Sequence, residues 1–197
     1  MTQEIKISAE PKDPETCTFA VDRPVLPGGS AYFDDKARAA DSPLAEKLLS
    51  LEGVESILIQ DSQVTVNAQS QSNWMPLAKE VGTMIRSVLQ SGENPISDQI
   101  KATLPPAEEI TQKIQVLLEK EINPAIASHG GFVELIDVKG NEVFIRLGGG
   151  CQGCGMANVT LKNGIEKAIR AAVPEVGAIM DTTDHATGRN PYYQQSK

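Results

Sequence analysis

The chain encodes an α+β protein of two small domains, each a small sheet with two packed helices, joined by a Pro-containing linker. Three observations predict this. Stretches with apolar residues at every second position are interleaved with stretches whose apolar residues recur every three or four, the periods of half-buried strands and amphipathic helices. Residues 93–106 are polar, hold Pro95, Pro105 and Pro106, and interrupt both patterns. The length, 197 residues, suits two units of roughly 100 residues each. With 40% hydrophobic but only 4% aromatic residues, the cores must be built from Ile, Leu, Val and Ala.

Within residues 1–92 the elements follow in order. Glu4 to Glu10 alternates as a strand through Ile5, Ile7 and Ala9, and Pro11 and Pro14 then block both helix and ladder. Cys17 to Val21 alternates again, which makes Cys17 a half-buried strand residue. Pro24 to Ser30, with its Pro-Gly-Gly, is expected as a loop. Ser42 then caps a helix that carries Pro43 at its first position and Leu44, Leu48 and Leu49 on one face, and Gly53 stops it. Val54–Ile59 and Val64–Val66 form a hairpin around Gln60 to Gln63. From Trp74 a second helix runs through Leu77, Val81, Met84, Ile85 and Val88 to Ser91-Gly92.

Residues 107–182 form the second domain. Ile110, Ile114, Leu117, Leu118, Ile122 and Ile126 make one apolar stripe on a helix that Pro124 should kink or break. Phe132–Val138 and Glu142–Leu147 are strands joined across Lys139-Gly140-Asn141, whose residues tolerate positive φ. A Gly- and Cys-containing loop follows, then a helix to about Val173, closed by Pro174, and a short strand over Val176 to Met180. Residues 183–197 are polar with little to bury and are expected as a mobile tail.

The chemistry concentrates in Gly148-Gly149-Gly150-Cys151-Gln152-Gly153-Cys154-Gly155. Two cysteines two residues apart can turn both sulfurs to one centre, and thiolates are soft ligands suited to iron-sulfur clusters, zinc or copper(I). The glycines let the backbone wrap closely around a bound object. Cys154 falls at or just before a helix start, where the unpaired N–H groups favour a thiolate. Three cysteines are too few for a disulfide framework, and a close pair suits a reducing compartment. The formal charge of −8, with 18 Lys and Arg against 26 Asp and Glu, argues against nucleic acid and anionic membrane as partners. The start of the chain resembles neither a signal nor a transit peptide, and no apolar run approaches membrane-spanning length, so a cytoplasmic protein is expected.

The run from Ile122 to Val176, and above all GGxCxxCxxxxxTLKxGIE within it, resembles the NifU C-terminal domain of Nfu-type iron-sulfur cluster carriers. The first ninety or so residues, including SPLAEKLLSLEGVESILI, are similar to the Nfu N-terminal domain. Ser128-His129-Gly130-Gly131 and the tail from Thr183 through Tyr193 look most like the bacterial NfuA-type branch. The resemblance implies that Cys151 and Cys154 ligate a [4Fe-4S] cluster held between two subunits and passed to apoproteins, whether assembled here or received from an upstream scaffold; a [2Fe-2S] form stays open. A cubane takes four thiolates and one CxxC supplies two, so a homodimer is expected on cluster binding. The chain is then no enzyme in the usual sense, because cluster transfer is ligand exchange.

The competing readings of Cys151 and Cys154 are a thiol-disulfide oxidoreductase and a zinc-bridged adaptor. A zinc site within one chain lacks two further ligands at suitable spacing, and the redox motif lacks the Trp-Cys-Gly-Pro-Cys setting. His129 is read as a turn-capping residue, His185 as solvated, and Asn158, Thr160 and Lys162 as capping, helix-surface or supporting residues rather than catalytic ones.

Overall fold

The computed structural model describes residues 4–69, 73–98, 100, 104–128, 130–149 and 155–183, the side chains of 155–160 excepted. It divides into two compact units, Met1–Leu104 and Pro105–Lys197. No helix among the described residues is long and apolar enough to cross a membrane.

Among its described residues the first unit has a five-stranded antiparallel sheet, two α-helices of seven and eighteen residues and a short 3-10 helix, Arg38–Asp41. Its strands are β1 (Ile7–Pro11), β2 (Thr16–Val21), β3 (Leu26–Phe33), β4 (Val54–Asp61) and β5 (Gln63–Ala68), in the order β1-β2-β5-β4-β3. The period of two puts one row of apolar side chains under the helices. Cys17 pairs with Val66, Val66 with Ile57 and Ile57 with Phe33, while Phe19, Val64, Ile59 and Ala31 form the adjacent row. All eight are buried. On the opposite face the row is polar, with Thr18 and Thr65 hydroxyls 3.2 Å apart and the Thr16 hydroxyl donating to Asn67 at 3.0 Å. Cys17, expected as half-buried, is fully buried, and its thiol pKa is raised by the loss of water around it.

Helix α1 (Pro43–Leu49) is capped as its sequence dictates, with the Ala45 N–H donating to Ser42 Oγ at 3.1 Å. Helix α2 (Trp74–Ser91) is capped by Asn73 and ends on Gly92 at φ 79°. It buries Leu77, Val81, Ile85 and Val88, at spacings of four, four and three. Each such side chain stabilises the unit by about 1.5–3 kcal/mol relative to exposure.

Two expectations change here. Pro24–Ser30 is not simply a loop: β3 begins at Leu26, and Pro27-Gly28-Gly29 forms an irregularity inside the strand between the pairs Leu26–Asp61 and Ser30–Gln60. Gly28 takes φ 62°, which lets the strand step out of register and resume. Nor do residues 93–98 behave as free linker. The Pro95 carbonyl accepts from Ser42 Oγ at 2.9 Å and from the Leu44 N–H at 3.3 Å, the Ser97 N–H donates to the Asp41 carbonyl at 2.7 Å, and Ile96 is buried in the first core.

The second unit opens with α3 (Ala107–Leu117). The helix does not break ahead of Pro124. It passes through one wider, π-type turn over Leu118–Ile122 and continues as α4 (Asn123–Ala127). Proline lacks an N–H and its ring collides with the carbonyl four residues back, and a wider turn relieves both problems without ending the helix. Strands β6 (Gly131–Lys139) and β7 (Glu142–Gly149) form the expected hairpin around Gly140 at φ 60°. Helix α5 (Gly155–Ala172) then crosses to β8 (Ile179–Asp181), which pairs parallel to β7, giving the order β6-β7-β8. The core joins Ile110, Ile114, Leu118 and Ile126 to Val133, Ile145, Leu147, Ile165 and Ile169.

Candidate thiol site

Cys151 and Cys154 lie outside the described residues, as do His129 and His185. What is described is the frame on either side: β7 delivers the chain to Gly149, and α5 takes it up at Gly155. Cys151 is thus two residues beyond the strand, and Cys154 immediately precedes an 18-residue helix.

The strand end has requirements that only glycine meets. Gly149 sits at φ 64°, and a Cβ there would lie 2.1 Å from the carbonyl oxygen of Gly130 on the neighbouring strand's approach. Gly148 is glycine for a different reason. A Cβ on it would stand 2.1–2.5 Å from Cζ, Cε2 and Cε1 of Phe132, its direct partner across the hairpin. The ring therefore lies over Gly148 where a side chain would otherwise be. It remains 42% exposed, with Met75 and Val116 one of the large apolar side chains left that open among the described residues. A glycine inside a strand costs about 0.5–1 kcal/mol, and a good aromatic cross-strand contact returns about 0.2–1 kcal/mol. The pair is close to neutral for stability.

Four polar side chains hold this frame together. Asn123 pairs like a strand with the outer edge of β6, its Oδ1 accepting from the Val133 N–H at 2.7 Å and its Nδ2 donating to the Val133 carbonyl at 3.0 Å. That contact fixes α4 beside Phe132 and covers an edge that would otherwise be open to pairing. On the other side of β7, the Leu147 N–H donates to Thr183 Oγ1 at 2.7 Å, and Thr182 donates twice to the Ile145 carbonyl. Thr183, expected to open the tail, is instead buried. Arg170 of α5 is buried and donates to the carbonyls of Val176 and Gly177 at 3.0 and 2.8 Å, setting the path from α5 into β8.

One turn earlier on α5, burial raises the pKa of Glu166, with Lys162 and Arg170 working against that and Asp181 adding to it. Among the described residues there is no group of three or more His, Cys, Asp or Glu able to hold a metal ion. Cys17 belongs to the first unit's core and is not available as a ligand while that core is closed. Sequence reading missed Phe132, Asn123 and Thr183. A hairpin register counted from the Gly140 turn would have flagged the aromatic–glycine pairing only approximately, because β6 shifts register between Leu135 and Asp137.

The frame defines a class of protein: two small α+β units, the second of which carries a cysteine pair between a strand and a long helix. A family described as "Scaffold protein Nfu/NifU N terminal" matches residues 5–92, and one described as "NifU-like domain" matches residues 114–180. The two matches together span most of the chain, which belongs to the Nfu family and resembles its NfuA-type branch. Among curated proteins, the Fe/S biogenesis protein NfuA of Pseudomonas aeruginosa is 51% identical over 85 residues, 43% of this chain and 44% of that one. The protein of the same name from Xanthomonas euvesicatoria is 52% identical over 84 residues, 42% of each. The chain therefore spans less than half the length of the curated relatives it matches. A solution structure of a NifU-like protein from Saccharomyces cerevisiae aligns at TM-score 0.41 and 24% identity, over 48% of this chain and 85% of that one.

Proposed function

We propose that the chain is an iron-sulfur cluster carrier in which Cys151 and Cys154 of two copies together hold a [4Fe-4S] cluster and pass it to apoproteins in the cytoplasm. What supports this most is the placement of a CxxC pair between the end of β7 and the start of α5 in a NifU-like unit, together with the Fe/S biogenesis relatives that match part of the chain. A helix N-terminus offers N–H groups and a partial positive charge to the negative cluster and its thiolates. Each chain contributes two of the four thiolates a cubane requires, so the cluster bridges a homodimer.

Transfer is ligand exchange. A client cysteine gives up its proton and its thiolate bonds to an iron; the bond from that iron to Cys151 or Cys154 breaks, and the departing thiolate takes a proton. The steps repeat around the cluster with no net oxidation, so nothing is turned over in the enzymatic sense. The same exchange in reverse accepts the cluster from an upstream scaffold. The first unit, with its own closed core, serves client recognition.

The test is anaerobic reconstitution with iron and sulfide, read by Mössbauer spectroscopy and by the mass of the loaded species. The wild type should take up four iron and four sulfide per pair of chains. Cys151→Ala and Cys154→Ala should each abolish stable loading and the loaded dimer. Tight colourless metal without sulfide, or disulfide reduction without iron uptake, overturns the reading.

A further inference from the structure

We infer that Asn123 and Thr183 are positioning residues for cluster binding: from opposite sides they clamp one rung of the β6–β7 hairpin, Val133–Leu147, and so fix the strand end from which the cysteine loop departs. This rests on the carrier reading above.

Val133 and Leu147 are direct partners across the hairpin. Val133 commits its N–H and its carbonyl to Asn123, at 2.7 and 3.0 Å, and Leu147 commits its N–H to Thr183 Oγ1 at 2.7 Å. In an antiparallel pair, residues whose polar groups point outward in this way are not bonded to each other. What secures the rung therefore comes from outside the two strands. On one side β6 is the edge of the sheet, and the amide of Asn123 supplies the donor and the acceptor that a further strand would bring. On the other side β8 pairs with β7 only as far as Asp181, opposite Ile145. Thr183 stands one rung further on, where its N–H is taken up by Asp181 Oδ1 at 2.8 Å and its hydroxyl meets Leu147.

The Gly140 turn closes one end of the hairpin, whereas the clamped rung lies at the open end, two residues before β7 finishes at Gly149. Open strand ends fray most readily. Cys151 follows Gly149 by two residues, so its Cα lies no more than about 7 Å from that of Gly149. Movement of the strand end thus passes to the ligand by covalent connection alone. Four thiolates from two chains must meet one cluster, and such constellations need holding to within about 0.5 Å.

The experiment uses the full chain, loaded anaerobically with iron and sulfide, and follows the decay of the cluster's visible absorption after an iron chelator is added. Asn123→Ala and Thr183→Val each open one side of the rung and should lose the cluster roughly tenfold faster than wild type. Thr183→Ser keeps the hydroxyl and should restore most of the wild-type rate. Asn123→Asp keeps the acceptor for the Val133 N–H but not the donor to its carbonyl; it should fall between, and it serves should the alanine variant not fold. Gly140→Ala is the stability control, because it weakens the same hairpin at its closed end and should hold the cluster as wild type does. Thermal midpoints of the apo forms put the variants on one scale. Loss from Gly140→Ala as fast as from clamp variants of equal midpoint overturns the inference, and so do wild-type rates in Asn123→Ala and Thr183→Val. Failure of the wild type to take up iron and sulfide removes the carrier reading itself, and this one with it.

Discussion

Gly149→Ala tests whether the strand end is as tightly built as it looks. At φ 64° an alanine costs about 1–2 kcal/mol in backbone conformation alone. Its Cβ would also stand 2.1 Å from the Gly130 carbonyl oxygen, and because that atom belongs to backbone the strands must part. Opening the Gly131–Gly149 pair forfeits roughly one hydrogen bond, about 1 kcal/mol. The sum is about 2–3 kcal/mol, or a fall of roughly 8–24 °C in the midpoint of a unit of this size. Gly140→Ala is the control, because its φ of 60° carries the same conformational penalty while nothing lies within 4 Å of the added carbon. It should lose only about 1–2 kcal/mol. Far-UV circular dichroism with urea gives both free energies, and amide exchange should place the extra loss of Gly149→Ala in β6 and β7. Trp74, the single tryptophan, lies in the first unit, so its fluorescence is an internal reference. If Gly149→Ala proves no more destabilising than Gly140→Ala, the close approach to Gly130 does not exist.

Other outcomes follow from the same contacts. Iodoacetamide should modify two thiols per apo chain rapidly and the third, Cys17, only on unfolding, since it is fully buried with a raised pKa; peptide mapping of the labelled sites checks this. Thr183→Val removes the hydrogen bond from the Leu147 N–H and should cost about 1–3 kcal/mol, whereas Thr183→Ser should cost less, by urea denaturation of both. Glu166 has a raised pKa, so the folded state holds its proton more tightly than the unfolded chain does, and stability falls as pH rises from the ordinary carboxylate value through the raised one. Glu166→Gln should flatten that part of the pH–stability curve and be more stable than wild type at neutral pH, and an unchanged slope would count against the burial of this carboxyl.

Much of this was legible from residue order. The Ser42 cap, the α2 stripe from Leu77 to Val88, the Gly140 hairpin and the cysteine pair each announce themselves through local chemistry or periodicity. What stayed hidden depended on partners far along the chain. Pro27-Gly28-Gly29 carries every local mark of a loop, yet pairing of Leu26 and Ser30–Phe33 with β4 holds those residues within a strand. Residues 93–98 look like linker because their anchors, Asp41 and Ser42, lie some fifty positions earlier. At the site, the thiols are plain in the sequence, whereas the seat of Phe132 on Gly148 depends on a one-residue register shift that no turn signal encodes.

The bond from Leu147 to Thr183 has a practical corollary. It pins the departure point of everything C-terminal to Thr183 within two residues of Gly149, on the strand that feeds the cysteine loop. Whatever is joined beyond Thr183 is therefore tethered, through that residue, to the middle strand of the second unit's sheet.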